Sequence, residues 1–220
     1  MTGDPVRVVL VDDQELVRVG FRLVLERAGF AVVGEAADGL QAVAVARQTT
    51  PDVVLMDVRM PRMDGIEATR RIVAAHPRTR VLALTTFDLD RFVYAAVSAG
   101  ASGFLLKDVP PDDLAHAVRV VARGEAMLAP VLTRRLLERF TSSPTPGQLP
   151  SPLRDLPERD LDILRLVARG LSNAEIGTEL HLSLSTVKTY VSRLLTHLNL
   201  RDRLQLAVLA YESGLVTPGR

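Results

Sequence analysis

The sequence predicts an α/β domain with a five-stranded parallel sheet, followed by a small all-α domain of four helices. Three observations carry this expectation. Short apolar runs alternate with helically spaced segments from the N-terminus to residue 125. A Pro-, Ser- and Thr-rich stretch then interrupts the chain, and beyond it the strand pattern is gone. Strands alternating with helices need crossovers, which makes the sheet parallel and covers both its faces.

The first run, Val6 to Val11, is broken only by Arg7 and suits a strand buried on both faces. Further runs lie at Ala31 to Gly34, Val53 to Met56, Val81 to Leu84 and Phe104 to Leu106. Between them, Leu16, Val19, Leu23 (with Val24) and Arg27 fall on successive helical turns, and Leu40 to Arg47 and Ile66 to Ala75 read the same way. Gly29, Pro51, His76-Pro77, Gly100 and Gly103 punctuate the alternation.

A linker is expected over residues 126–152, between a domain at 1–125 and one at 153–220. Within it, Val131 to Phe140 reads as a short amphipathic helix, whereas Thr141 to Pro152 (TSSPTPGQLPSP) has a composition that does not hold one. Four helical segments follow at Glu158 to Arg169, Asn173 to Leu180, Ser185 to Leu198 and Arg203 to Ser213.

Composition narrows the function classes. With no cysteine, disulfides and thiolate metal sites are excluded. No apolar run approaches the about 20 residues of a membrane span, and the N-terminus does not read as a signal peptide, so a cytoplasmic location is expected. Net charge is +1, but residues 1–125 carry −2 and residues 126–220 carry +3. That asymmetry points weakly to an acidic site followed by a DNA-facing segment.

Asp12 and Asp13 directly follow the first run, and Asp57 follows the third. Ligands of open parallel sheets collect at the carboxyl ends of strands where the order reverses. In the order 2-1-3-4-5, strands one and three are neighbours and the three carboxylates converge. Such a cluster calls for a cation, and Mg²⁺ suits carboxylates, a backbone carbonyl and waters. Thr85 after the fourth run and Lys107 after the fifth would face the same edge, and a carboxylate nucleophile forming an acyl phosphate is established chemistry. One strand-end Asp is often only a cap or turn former. Five positions in the right order point to a phosphoryl site. Asp64-Gly65 reads as a turn and helix start.

Residues Val6 to about Gly124 resemble a response-regulator receiver domain of flavodoxin-like fold, in particular the NarL/FixJ class. The resemblance rests on VDD (Val11 to Asp13), LMDVRMPRMDG (Leu55 to Gly65), LT (Leu84, Thr85) and GASGFLLKD (Gly100 to Asp108). It implies Asp57 as phosphoacceptor, and Mg²⁺ held by Asp12, Asp13, Asp57 and the Arg59 carbonyl. It also implies Thr85 and Lys107 as sensors of the phosphoryl group and Phe104 as the switch aromatic. One departure is Asp108, where many receivers carry proline.

In the C-terminal part, Leu161, Leu164 and Val167 (with Ile163) give a first helix one apolar stripe, ended by Arg169-Gly170. Ser172-Asn173 offers a cap for a second helix with Ala174, Ile176 and Leu180 inward. After a turn at His181 to Leu184, Ser185 is expected to cap a third helix that buries Val187, Val191, Leu194 and Leu195. Its other face shows Thr186, Lys188, Thr189, Ser192 and Arg193, small or basic residues suited to a major groove.

The segments LPERDLDIL (Leu156 to Leu164), GLSNAEI (Gly170 to Ile176), LSTVKTYVSRLL (Leu184 to Leu195) and NLRDRLQL (Asn199 to Leu206) resemble the LuxR-type helix-turn-helix. The resemblance implies that the third helix reads double-stranded DNA and that the last, around Leu206 to Tyr211, dimerises. By position Lys188, Thr189 and Ser192 are base-edge candidates, and Thr186 and Arg193 phosphate candidates. Tyr190 stands where histidine is common, and Asn199 where glycine is common.

Together the resemblances imply a two-component response regulator, not an enzyme. A histidine kinase phosphorylates Asp57, which biases a surface near the fourth and fifth helices of the first domain. Either dimerisation or release of the reading helix then follows, and a homodimer binds paired half-sites. Two rivals stand beside this reading. A Mg²⁺-dependent phosphatase would need an acid-base Asp two residues past Asp57, where Arg59 stands. A phosphorylation-independent regulator with a structural receiver would bind DNA equally with or without a phosphodonor.

Overall fold

The computed structural model describes residues 4–85, 95–124, 127–128 and 151–216. The chain forms two compact units, Met1–Leu132 and Thr133–Arg220. In the first, strands β1 (Arg7–Val11), β2 (Ala31–Ala36), β3 (Val53–Asp57), β4 (Arg80–Thr85) and β5 (Gly103–Leu106) alternate with helices α1 (Glu15–Arg27), α2 (Gly39–Thr49) and α3 (Gly65–Ala75). Residues 95–98 are helical between β4 and β5, and α4 (Pro111–Ala122) follows β5. The strand order is the expected 2-1-3-4-5, all parallel, with one addition. A two-residue strand β6 (Met127–Leu128) pairs with β5 and makes six. It falls in the segment read as linker, too short to leave a periodic signal.

Alternation across the sheet builds two cores, because successive strand side chains point to opposite faces. Val8, Leu10, Val53, Leu55, Leu82 and Leu84 meet Leu25 of α1 and Leu114, Val118 and Val121 of α4. Val9, Val11, Val54, Met56 and Val81 meet Ala42 and Ala46 of α2 and Ala68 and Ile72 of α3. Small alanines on α2 let that helix lie close to the sheet.

Helix α1 turns a different face inward from the one its spacing suggests. Leu16, Val19 and Leu23 are 86%, 46% and 64% exposed, whereas Leu25 is fully buried, with Phe21, Val24 and Ala28 packed beside it. The helix carries two apolar stripes. The one with the aromatic ring and Leu25 reaches the sheet.

Most of the expected linker, including the helix read at Val131 to Phe140, lies outside the described residues. Its end differs from expectation, since Ser151–Arg154 forms one helical turn, α5. Proline is tolerated in a first helical turn, where its missing N–H has no partner to lose.

The second unit continues with α6 (Glu158–Ala168), α7 (Asn173–Leu180), α8 (Leu184–His197) and α9 (Arg203–Glu212) around one core. Gly170 ends α6 with φ +84°, and Ser172 and Glu175 form a capping box at α7. Two local expectations are corrected. Ala174 is exposed, and Ile176 with Gly177 forms the buried face of α7. The cap of α8 is Ser183, whose hydroxyl accepts from the Thr186 N–H, so Ser185 lies within the helix. Asn199 adopts φ +52°, the left-handed conformation that its type tolerates. On α9, Leu206 and Tyr211 are buried in their own unit, and the Tyr211 hydroxyl donates to the Ala168 carbonyl. Among the described residues no helix is long and apolar enough to cross a membrane.

Candidate phosphoacceptor site and DNA-reading helix

Register explains why the acidic residues meet. Val11 pairs with Met56, Asp57 with Leu84, and Thr85 with Leu106, so four strands end at one level. Asp12 and Lys107 are the next residues out from β1 and β5, and the Lys107 N–H donates to the Thr85 carbonyl. Asp12, Asp13 and Asp57 each bring a carboxylate oxygen to within 4.8 Å of the others. Lys107 Nζ lies 2.6 Å from Asp12 Oδ2 and 2.9 Å from Asp57 Oδ2. The Arg59 N–H donates to Asp57 Oδ1, and the Gln14 N–H to Asp12 Oδ1. Asp57 and Asp12 are buried, whereas Asp13 is exposed.

Burial pushes the Asp57 carboxyl above its ordinary range, and the Asp12 charge adds to that, with Lys107 and the Arg59 N–H offsetting part. For Lys107 burial opposes the charge, but its hydrogen bonds and attractions to Asp12 and Asp57 outweigh this and raise its pKa. Three carboxylate donors on this edge, with Lys107 the one ammonium against them among the described residues, suit a hard divalent cation. Thr85 ends β4 and is 2% exposed, and Phe104 of β5 is fully buried.

Two structural contributors, Arg18 and Arg62, were not singled out from sequence, and a third, Gly65, was read only as part of a turn and helix start. Arg18 on α1 donates to the Asp12 carbonyl at 2.7 Å and is itself held by Glu35. Arg62 pairs with the fully buried Asp38 and takes φ +67° in the loop after β3. Gly65 is required by close approach, because a Cβ there would lie 1.9 Å from the Asp57 carbonyl oxygen. Its N–H donates to the Val58 carbonyl, while Asp64 caps α3 through the Glu67 N–H. Aspartate-glycine is thus a helix start that also brings α3 against the end of β3. Its spacing after Asp57 is the one trace of this in the sequence.

In the second unit, Lys188, Thr189, Ser192 and Arg193 are exposed on α8, and Thr186 is half-buried. The Thr186 hydroxyl shares a hydrogen bond with Ser183, and the Thr189 hydroxyl donates to the Ser185 carbonyl. Arg193 contacts Asp160 of α6 and the Tyr190 ring. Leu184, the first residue of α8, is half exposed beside these polar groups.

Comparison with known proteins matches both units. The response regulator receiver domain family covers residues 8–119, and the family of bacterial regulatory proteins of luxR type covers residues 154–210. The chain is 43% identical over 217 residues to the transcriptional regulatory protein YxjL of Bacillus subtilis (strain 168), covering 98% of this chain and all of the relative. It is 40% identical to the transcriptional regulatory protein LiaR of the same organism, covering 96% and 99%. The crystal structure of the response regulator ChrA of a heme-sensing two-component system superposes with a TM-score of 0.53 at 35% identity, covering 96% and 99%. These likenesses favour a two-component transcriptional regulator over a phosphatase or a phosphorylation-independent DNA binder. The chain belongs to the two-component response regulators that join a receiver domain to a LuxR-type DNA-binding domain.

Proposed function

We propose that Asp57 is the phosphoacceptor and that its phosphorylation by a histidine kinase controls binding of α8 to a double-stranded DNA operator. The observation that carries this reading is the Lys107 ammonium bridging Asp57 and Asp12 at the sheet edge. An Asp57 oxygen attacks phosphorus, the bond from phosphorus to the kinase histidine nitrogen breaks, and the imidazole leaves with that electron pair. Asp57 must be ionised to attack, and Lys107 offsets part of the burial that opposes its charge. Asp12, Asp13, Asp57 and the Arg59 carbonyl would hold Mg²⁺, which neutralises charge on the transferring group.

In the phosphorylated state Lys107 pairs with a phosphoryl oxygen, the Thr85 hydroxyl donates to another, and Phe104 repacks. A local charge change of this kind biases a two-state surface. The surface change either promotes a homodimer or frees the reading helix. Lys188, Thr189 and Ser192 then face base edges and Thr186 a phosphate. The receiver occupies residues 1–125 and the reader 153–220, joined by a linker, in a cytoplasmic protein.

Intact mass after incubation with Mg²⁺ and acetyl phosphate tests the acceptor. Wild type should gain one phosphoryl group and Asp57→Ala none. An adduct on Asp57→Ala would place the acceptor elsewhere.

A further inference from the structure

Among the side chains that α8 offers to DNA, the longest is already engaged within its own unit. Arg193 Nη2 lies 2.5 Å from Asp160 Oδ1, and the guanidinium carbon sits 4.6 Å from the Tyr190 ring centre. Asp160 is on the first turn of α6 and only 3% exposed, beside Leu156, Pro157 and Leu194. A buried charge in such surroundings is costly unless it is paired. If Arg193 turned to a DNA phosphate, Asp160 would be left as a buried, uncompensated anion facing a polyanion. Tyr190, three residues earlier on α8, covers one face of the guanidinium and leaves its fork to the carboxylate.

We infer that Arg193 is a positioning residue for DNA recognition: it latches the reading helix to α6 through Asp160, with Tyr190 as its backing, and makes no phosphate contact. The inference rests on the reading of α8 as the DNA-binding helix. The latch fixes how α8 projects from the unit and cancels a negative charge that DNA would otherwise meet. Tyr190, which replaces the commoner histidine, has its place as the surface on which the guanidinium lies. The Arg193 pKa is raised by the Asp160 hydrogen bond, consistent with a held pair.

Affinity and its salt dependence separate a latch from a phosphate contact. The probe is a duplex recovered from a random-sequence pool by the wild-type full chain. Arg193→Met, Asp160→Asn, their double variant and Tyr190→Ala are titrated against it at several salt concentrations. A latch predicts that each single variant weakens binding about fivefold or more, that the double variant is no worse than either single, and that the salt slope stays at the wild-type value. A phosphate contact predicts a slope shallower by about 0.9 for Arg193→Met, with Asp160→Asn binding as tightly as wild type or tighter, and that result overturns the inference. Tyr190→Ala leaves the Asp160 carboxylate in place and trims a half-buried ring at the edge of the core, so, in protein shown to be folded by circular dichroism, it decides the matter should Asp160→Asn unfold the unit. Lys188→Ala in the same series should weaken binding. If it binds as wild type, the reading of α8 itself falls, and this inference with it.

Discussion

Arg18 and Glu35 show how single side chains hold the acidic edge together. Arg18 spans from α1 to the Asp12 carbonyl, and Glu35 of β2 binds both Arg18 and Arg22. Burial alone would raise the Glu35 carboxyl, but the hydrogen bonds and charges of Arg22 and Arg18 outweigh it and lower the pKa. A carboxylate depressed in the folded state stabilises it above its ordinary pKa, and that contribution is lost as pH falls through the folded value. Glu35→Gln should therefore cost about 1 kcal/mol near neutral pH, a figure reduced for the partial exposure of Arg22. In urea unfolding the deficit should shrink as pH falls below the ordinary glutamate range. A deficit independent of pH would mean that Glu35 acts by packing alone. At this scale the sequence was partly legible. Asp12, Asp13, Asp57, Thr85 and Lys107 could be named because each terminates an apolar run. Gly65 could not be given its role, because a 1.9 Å conflict with the Asp57 carbonyl exists only once α3 is docked. The Arg193–Asp160 pair spans 33 residues and leaves no local pattern.

Among the elements, buried parallel strands were the most legible, since burial on both faces makes each a continuous apolar run. Helix faces were less so. Helix α1 carries apolar residues on two sides, and spacing alone does not rank them. Leu16, Val19 and Leu23 point to solvent, and the half-buried Arg18 and Arg22 lie on the sheet side because Glu35 receives them. This orientation has a direct consequence for stability. Leu16→Glu and Leu23→Glu should each change the unfolding free energy of the first unit by less than about 0.5 kcal/mol. Leu25→Ala should cost about 2–5 kcal/mol. Chemical denaturation of the three variants decides it, and a large loss for Leu16→Glu would mean that α1 docks by its other stripe. Capping was likewise ambiguous. Ser183 and Ser185 both precede the apolar residues of α8, and only the Thr186 N–H shows which hydroxyl closes the helix.

Across the whole molecule, two units of opposite charge character divide the work. The first collects carboxylates at one sheet edge and sets Lys107 against them. Adding a phosphoryl group to Asp57 changes that balance. The second projects α8, whose exposed residues, Leu184 apart, are small or basic. Family membership follows from matches to both units, so the order of sensing and reading along the chain belongs to the conclusion as much as either site does. The direct test of the central claim is a DNA-binding titration of the full chain with Mg²⁺, with and without acetyl phosphate, wild type beside Asp57→Ala. The phosphodonor should tighten wild-type binding to a selected duplex by about tenfold, within the usual range of coupling between sites, and leave Asp57→Ala unchanged. Equal affinity of phosphorylated and unphosphorylated wild type would contradict the account.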